Sequence, residues 1–406
     1  MKTHSTLPLL LGLLTAATAA LGQTAPEGVY REHSFYGDPP DEHHPWEVHD
    51  QNRPQPLIVT PGTFSSPDQP GKPPSDAIIL FDGTDLSKWE ADNARHEPTK
   101  WVIKDGAMEC VPGSGFIRTK ENIGDCQLHV EWASPTRVEG TSQGRGNSGV
   151  FLMGLVEVQV LDNYKNPTYA DGMAGAVYGQ HAPMANALLP PGQFQTYDII
   201  FRRPLYGKEG QLVEAGSVTV FENGVAVQDH AIIEGETGHM ARAKTSHFPD
   251  SGPLKLQDHG NPVRFRNVWY RVLPPRTAEG GDDGYLTSEA TAAKRGEIAA
   301  SLRADADKMT APSQSLEQTL RDAESLCYAS DDATYQKVKT ALLKYLADFQ
   351  ALPADTVNTK RNQVRQLRDV CNYLVKFKMV PADFEPKAKF DQIIRDHNWD
   401  ARRNGG

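Results

Sequence analysis

The sequence predicts an all-β antiparallel sandwich or jelly roll of roughly 200 residues, followed by a smaller all-helical domain. The sandwich is indicated by about a dozen short apolar runs separated by turn residues, several of which alternate apolar and polar side chains. The helical domain is indicated by the composition, which changes after Pro274 to long stretches rich in Ala, Glu, Lys and Arg.

The chain begins with the pattern of a secretory signal peptide over residues 1–22. One Lys precedes an apolar run at 7–14, and small residues follow, with cleavage expected after Ala19, Ala20 or Gly22. No later stretch has the apolar length that a membrane-spanning helix needs. We therefore expect an exported protein, periplasmic or secreted, without membrane insertion.

Residues 23–76 are rich in Pro, His and Gly and show little periodicity. Such a segment cannot form a core of its own, so we expect an extended arm that wraps over the following domain through Trp46 and the apolar residues 57–59. A metal site is an alternative for its histidines, although the prolines and acids around them provide no scaffold for coordination. These histidines are His33, His43, His44 and His49.

The predicted sandwich domain covers residues 77–274. In the run 127–134, Leu128, Val130 and Trp132 alternate with His129 and Glu131, so one side should pack in a core. The strongest hairpin signal of the chain is the Asn-Gly pair at 223–224, since Asn-Gly suits a two-residue turn between antiparallel strands.

The predicted helical domain covers residues 285–406, after a spacer rich in Gly and Asp. Its periodic stretches have helix length and lack internal Pro. We find no set of residues in it that points to catalysis.

Charge and cysteine content limit the possible functions. The net charge of −10 disfavours a nucleic-acid partner, for which a basic stripe is expected, but is compatible with a neutral sugar; protein partners stay open. The four cysteines lack metal-ligand spacing. In an oxidising compartment we favour local disulfides, Cys110 with Cys126 and Cys327 with Cys371; free buried thiols are the alternative.

The segment 144–162 is the candidate centre of function. Val156, Val158 and Val160 alternate with Glu157 and Gln159, so the valines should face a core and the two polar side chains the opposite side. A polar pair on a sheet face meets either bulk water or a ligand. The loop 169–183, rich in Gly, Tyr and His, favours a polar small-molecule pocket.

Six stretches of the domain carry a family resemblance: LFDGTDLSKW, GNSGVFLMGLVEVQVLDNY, ADGMAGAVYGQ, QTYDIIFRR, VTVFENG and GPLKLQDHGNPVRFRNVWYR. In that order they resemble the 3-keto-disaccharide hydrolases, also described as 3-keto-glucoside 1,2-lyases and 3-keto-2-hydroxy-glucal hydratases. The resemblance covers 77–274 and leaves out the arm and the helical tail. It implies a concanavalin-like jelly roll whose concave sheet face holds the sugar.

The resemblance implies cleavage of a 3-keto-glycoside by elimination, hydration or both. This chemistry requires a base, an acid for the leaving group, and a donor or bound divalent cation for the enolate oxygen. We expect Glu157 and His259 to form the acid–base pair, because Glu157 lies on the polar side of its strand and His259 follows a strand end beside a loop glycine. A solvated Glu157 and a His259 that only caps its strand are the alternatives.

Further polar residues near these segments are candidates for binding the sugar. For each, a structural role is the alternative: exposure, turn geometry, packing, or the outer face of an edge strand. Asp162 is expected to orient a neighbour. The candidates are Glu131, Arg145, Asn147, Gln159, Asp162, Tyr178, His181, Gln257 and Arg264.

Two other functions fit parts of the pattern. A non-catalytic carbohydrate-binding module would use aromatic residues such as Trp269 and Tyr270 as a stacking platform. A conventional glycoside hydrolase needs two carboxylates, whereas Glu157-Val158-Gln159 supplies one. The polar content of the expected sheet face therefore favours the enzyme acting on 3-keto sugars.

Overall fold

The computed structural model describes residues 35–244, 247–276, 281–282 and 284–400. The signal peptide predicted over 1–22 and His33 lie outside these residues. The chain divides into two compact units: residues Val59–Ala290, and the residues up to Ile58 together with those from Thr291 onward.

The unit 59–290 is built of short strands. In chain order they are β1 Ile78–Phe81, β2 Trp89–Ala91, β3 Val102–Lys104, β4 Ala107–Glu109, β5 Ile117–Ile123, β6 Cys126–Ala133, β7 Ser148–Leu152, β8 Val156–Val160, β9 Gln195–Arg202, β10 Leu205–Tyr206, β11 Leu212–Glu214, β12 Ser217–Glu222, β13 Val225–Ile232, β14 Gly252–Leu256, β15 Arg264–Val272, β16 Gly281–Asp282 and β17 Tyr285–Leu286.

Two antiparallel sheets form the sandwich. The larger has eight strands in the order β13-β12-β9-β6-β15-β4-β3, with β1 also pairing β15, and the smaller has five in the order β2-β5-β14-β7-β8. Apolar side chains from both sheets join in one core. Strands distant in sequence lie side by side, as in a jelly roll, and the predicted fold class is confirmed.

Local signals in the sequence are confirmed at the hairpin and in the core. Glu222 pairs with Val225 across the turn, and Asn223 and Gly224 have φ of +51° and +78°, as a type I′ turn requires. Val156, Val158 and Val160 are fully buried between the sheets. Glu157 and Gln159 consequently lie on the outer side of the smaller sheet.

The second unit contains five described helices: α1 Ser288–Asp307, α2 Ser315–Tyr328, α3 Asp332–Gln350, α4 Arg361–Lys376 and α5 Glu385–Asp396. Their apolar sides share a separate core, and Asp331 caps α3 by accepting a hydrogen bond from the Thr334 amide. The predicted helical tail is confirmed. The described helices are all too short or too polar to span a bilayer.

Trp46 was expected to anchor the arm on the sandwich domain, but it belongs to the core of the helical unit. Trp46 is buried in the helical core, where Lys294 lies over its ring, and Asn52 bonds with Glu324 and Arg321. Leu57 and Ile58, expected as anchors, are exposed. The segment thus supplies apolar surface that the helices need to complete their core, while residues from Val59 onward belong to the sandwich unit.

All four cysteines are free and buried, so the predicted disulfides are wrong. Cys110 bonds through its amide to Val263, whereas Cys126 pairs with Val272 nine positions along the chain. At about 3.3 Å per residue, β15 separates these two thiols by far more than a disulfide can span. In the helical unit Cys327 donates to the Ala323 carbonyl.

Candidate functional site

The candidate site centres on Glu157 in β8, an edge strand of the smaller sheet. The segment 175–178 runs beside β8: the Gln159 amide donates to Ala176, and the Gly175 and Tyr178 amides donate to Gln159 and Glu157. The side chain of Glu157 is only 5% exposed. The solvated alternative for this polar pair therefore does not hold.

Gly149 makes room for the carboxyl group of Glu157. Gly149 lies in β7 opposite Gln159, and a Cβ on it would come within 2.2 Å of Glu157 Oε1. Since real Cβ atoms do not approach an oxygen so closely, a side chain here would displace the carboxyl group.

Burial raises the pKa of Glu157 to about 8. Because desolvation disfavours the charged form, the group is mainly a carboxylic acid near neutral pH. An atom of the Gln159 side-chain amide lies 3.0 Å from Glu157 Oε1. Turned one way, that amide donates to the carboxylate; turned the other way, it accepts from the acid. Gln159 can therefore hold Glu157 in both protonation states.

Gln143 extends the polar chain behind Gln159. The Gln143 amide donates to Thr168 and to the Gly172 carbonyl at 2.9 Å, and its side-chain oxygen lies 3.1 Å from Gln159. On the core side, the Tyr197 hydroxyl in β9 donates to the Gln159 carbonyl at 2.6 Å. Both contacts fix the position of Gln159. Sequence reasoning missed Gln143 because it lies in a short 3-10 helix, Ser142–Gly144, outside the strands.

Tyr178 is the cross-strand neighbour of Glu157, since the adjacent residues Val158 and Val177 pair. Its hydroxyl contacts the Tyr169 hydroxyl at 2.8 Å and His239 Nδ1 at 2.9 Å. Sequence reasoning found Tyr178 but missed His239, which lies in a loop without periodicity. The contact places an imidazole next to the tyrosine beside Glu157.

The rest of the sheet face offers an aromatic surface and a cation. Glu157 of β8 pairs with Phe151 of β7, and Phe151 pairs in turn with Lys255 of β14, so the three side chains lie in one line across the sheet. The Phe151 ring packs against Phe116 at 5.7 Å, and Lys255 Nζ binds Asp92 at 2.8 Å. Lys255 alternates with Leu254 and Leu256 in β14, so the sequence already indicated that it faces away from the core, although it was not among the predicted site residues.

Gln257 and His259 follow β14 on the same sheet. The Gln257 amide donates to the Gly149 carbonyl, and its side-chain oxygen is buried without a hydrogen-bond partner in the described part of the chain. His259 is exposed in the following loop. His259 lies four residues beyond Lys255, which is aligned with Glu157 across the sheet, and β14 is two strands away from β8. The distance between His259 and Glu157 is therefore more than about 10 Å.

Several predicted binding residues make structural contacts. Arg145 forms a two-pronged ion pair with Asp162, with N–O distances of 2.8 and 3.2 Å, so Asp162 orients Arg145. Asn147 donates from its side chain to the Gln143 carbonyl and from its backbone to Asn261. His181 Nε2 bonds with the Ile232 carbonyl at 2.7 Å.

Glu131 and Arg264 lie on the other side of the molecule. They belong to β6 and β15 of the larger sheet, and neighbours with the opposite orientation, Val130 and Phe265, are in the core between the sheets. Both polar side chains therefore point outward from the larger sheet, and the structure does not join them to Glu157.

Among the residues that the structure describes, no group of three or more His, Cys, Asp or Glu side chains is placed to hold a metal ion. The arm histidines that are described, at 43, 44 and 49, form no such group. The site as described thus consists of an acid, amides, a Tyr–His pair, aromatic rings and Lys255.

Comparison with known proteins matches residues 76–271 to the model of the 3-keto-alpha-glucoside-1,2-lyase-like domain. A curated 3-keto-disaccharide hydrolase of Bacteroides thetaiotaomicron is 23% identical over 248 residues, which are 48% of this chain and 78% of that protein. A solved structure from Parabacteroides distasonis, provisionally named a glycosyl hydrolase, is 43% identical. That match covers 55% of this chain and 94% of the other, with a TM-score of 0.51.

Proposed function

This chain belongs to the family of 3-keto-alpha-glucoside-1,2-lyase-like domains, and on that premise we propose that it is an exported enzyme that cleaves 3-keto-glycosides at the outer face of the smaller sheet. The observation that carries the proposal is Glu157, a buried carboxyl group with a pKa of about 8, held by an amide beside an aromatic surface. Such a group can donate a proton near neutral pH.

The reaction follows from the 3-keto group, which acidifies the hydrogen at C2. A base removes this proton, the electron pair forms the C1–C2 double bond, and the substituent at C1 leaves with a proton from an acid. Water then adds across the double bond of the enone, a proton returns to C2, and a 3-keto sugar with a free C1 hydroxyl results. Elimination and hydration together amount to hydrolysis.

Glu157 is suited to protonate the leaving oxygen, because burial keeps it protonated. The ionised carboxylate can next take a proton from the incoming water. For the C2 hydrogen we propose Tyr178, which would pass its own proton to His239 as it accepts the one from C2. Lys255 is a cation on this face for the enolate oxygen, because its ammonium group has further donors beside the one that binds Asp92.

His259 is proposed for the more distant end of the substrate. A disaccharide is about 10 Å long. With one ring at Glu157 in β8, the second ring would therefore lie near the end of β14, close to Gln257 and His259. The side chain of Gln257 is half-buried at this end of β14 and carries an amide group that can bond a sugar hydroxyl.

Conventional glycoside hydrolysis is less well supported. It needs two carboxyl groups on opposite sides of the bond, and on this face Asp92 binds Lys255 while Glu90 contacts Arg118. Neither is available as a partner of Glu157 without breaking an ion pair.

The test is turnover of a 3-keto-glucoside by the purified mature protein, followed by the ultraviolet absorbance of the enone and by release of the free sugar. The unoxidised parent glucoside serves as the control, and a glucan tests for conventional hydrolysis. We expect turnover of the 3-keto substrate alone. Equal rates on the parent glucoside, where no C3 carbonyl acidifies C2, would overturn the proposal.

A further inference from the structure

A cavity lies on the outer face of the larger sheet, beneath a segment that we call the strap, residues 60–75. The strap is closed on itself, because the Thr63 amide donates to the Lys72 carbonyl and the Ser75 amide to the Thr60 carbonyl. It thus forms a loop of fixed shape in the unit 59–290, without strand pairing of its own.

Glu131 fastens the strap to the sheet. Its carboxylate accepts from Ser65 Oγ of the strap and from Asn267, both at 2.7 Å, and from Arg266 at 2.7 Å. Arg266 and Asn267 also donate to the strap carbonyls of Ser66 and Gly71. Glu131 is fully buried, so its role is to position the wall of this cavity.

The cavity has a volume of about 920 Å³. This is at the upper end of the range for small-molecule sites. The sheet supplies its floor with His129, Asp198 and Trp269, and the strap supplies a wall that includes Phe64. A disaccharide fits a space of this size.

The floor combines a flat ring with polar groups. His129 stacks on Trp269 with ring centres 5.0 Å apart and planes 11° apart. His129 Nδ1 lies 2.7 Å from Asp198, whose side chain is 43% exposed, and Nε2 lies 3.4 Å from Glu131. Because both ring nitrogens are engaged, His129 is not a free base, and the site is suited to binding rather than proton transfer.

Charges that line the cavity or lie directly behind its lining are mostly compensated. Arg271 binds Asp76 at 2.6 Å, Arg266 binds Glu131, and His129 lies between two carboxylates. A charged ligand would have to compete with these ion pairs, while a neutral ligand with hydroxyl groups can donate to Asp198 and accept from neighbouring amides. Lys72 adds one positive charge to the lining.

Aromatic side chains complete the chemistry of a sugar site. Phe64 of the strap is fully exposed and lines the cavity, so its ring is accessible to a ligand. Phe194 lines the cavity below the guanidinium of Arg266, which lies 3.9 Å from the ring centre. Such rings offer flat apolar surface to the C–H faces of a pyranose.

We propose that the cavity between the strap and the larger sheet is a second binding site, for a neutral saccharide, separate from the site at Glu157. It rests on the proposed function only in the choice of sugars as ligands. Such a site would keep the protein on its carbohydrate source without taking part in bond cleavage.

The experiment is calorimetric titration of the full-length protein with maltose, cellobiose, sucrose and trehalose, none of which has a 3-keto group. We expect at least one to bind, and Phe64→Ala and Asp198→Asn each to weaken that binding about tenfold or more. Phe151→Ala, at the Glu157 site, should leave this affinity unchanged, as should Leu212→Ala, which removes another exposed apolar side chain elsewhere.

Turnover separates this inference from the proposed function. Phe64→Ala should retain wild-type turnover of the 3-keto-glucoside while losing disaccharide binding. The inference fails if no disaccharide binds up to about 10 mM, if Phe151→Ala removes binding and Phe64→Ala does not, or if a disaccharide containing glucuronic acid binds more tightly than the neutral ones. Absence of turnover with intact disaccharide binding would instead contradict the proposed function alone.

Discussion

Glu157 Oε1 lies 2.2 Å from the point where a Cβ on Gly149 would stand. The carboxyl group of the candidate acid and the backbone of the neighbouring strand therefore occupy complementary space. Since the end of a Glu side chain can move while the strand cannot, a methyl group at 149 should displace the carboxyl group and leave the fold intact.

We accordingly expect Gly149→Ala to lower kcat by about two orders of magnitude or more, because general acid catalysis needs the proton within hydrogen-bond reach. The free energy of unfolding should fall by only about 1–3 kcal/mol. Activity assays with denaturant titrations check both expectations. Gly106→Ala, in the turn between β3 and β4, has a φ of +72° and open space for the added methyl group, so it is a control for backbone strain away from the site; an equal loss of activity in that variant would argue against displacement of Glu157.

Glu157→Gln should lower kcat by roughly two to four orders of magnitude, the usual contribution of a general acid or base. It should also change how stability depends on pH. In the wild type the folded-state pKa is about 8, raised from 4.5, so the folded protein binds the proton more tightly. The contribution of Glu157 to stability is fully present below pH 4.5 and is lost as pH rises towards and through 8.

The Gln variant lacks this titration. Relative to the wild type it should therefore gain stability between about pH 5 and pH 9, by at most a few kcal/mol. Denaturant unfolding at a series of pH values measures the difference. Parallel stability curves for the two proteins would contradict a raised pKa at Glu157.

The two histidines that we assign roles at the smaller sheet, His239 and His259, should differ in effect. His239 bonds to Tyr178 beside Glu157, whereas His259 lies beyond the strand end. His239→Ala should lower kcat by about two orders of magnitude, and His259→Ala should mainly raise KM. Steady-state kinetics separate these outcomes, and a larger loss of kcat in His259→Ala would return the acid–base role to that residue.

Residues 59–290 should fold and turn over substrate without the rest of the chain. This segment has its own core, and it contains every residue assigned a catalytic role. A protein that lacks only the residues after 290 should be less soluble, because it leaves Trp46 without its helical partners. Circular dichroism and turnover of both shortened proteins test this, and an inactive but folded 59–290 segment would contradict it.

The cysteines give a chemical test of the fold. Because all four are free and buried, a thiol reagent should react slowly with the native protein and label four thiols after denaturation without reductant. Burial raises the pKa of Cys126 to about 12, so little of the reactive thiolate exists at neutral pH. Fewer than four thiols in the denatured protein would mean that a disulfide forms.

Alternation along strands was enough to predict the core valines of β8 and the outward direction of Glu157, because the period of a strand is fixed by the backbone. It could not predict which sheet an outward residue belongs to. Glu131 and Glu157 follow the same rule, yet they face opposite sides of the sandwich. That distinction depends on strand order, which no local pattern encodes.

Loop residues were the other limit. His239 has no periodic neighbours that would place it beside Tyr178, and nothing in the proline-rich arm shows that Trp46 fills a gap between helices. Both positions are set by contacts between segments distant in sequence. The turn at Asn223-Gly224, by contrast, was predictable because its backbone angles are a property of the two residues themselves.

Tyr197 and Asp198 are consecutive in β9, so their side chains leave the larger sheet on opposite sides. Tyr197 crosses the core to bond the carbonyl of Gln159, and Asp198 pairs with His129 on the floor of the strap cavity. One peptide unit thus joins the scaffolds of both sites. A change that shifts β9 along its neighbours will tilt the amide beside Glu157 and the floor under the strap together, so neither site can be redesigned through this strand alone.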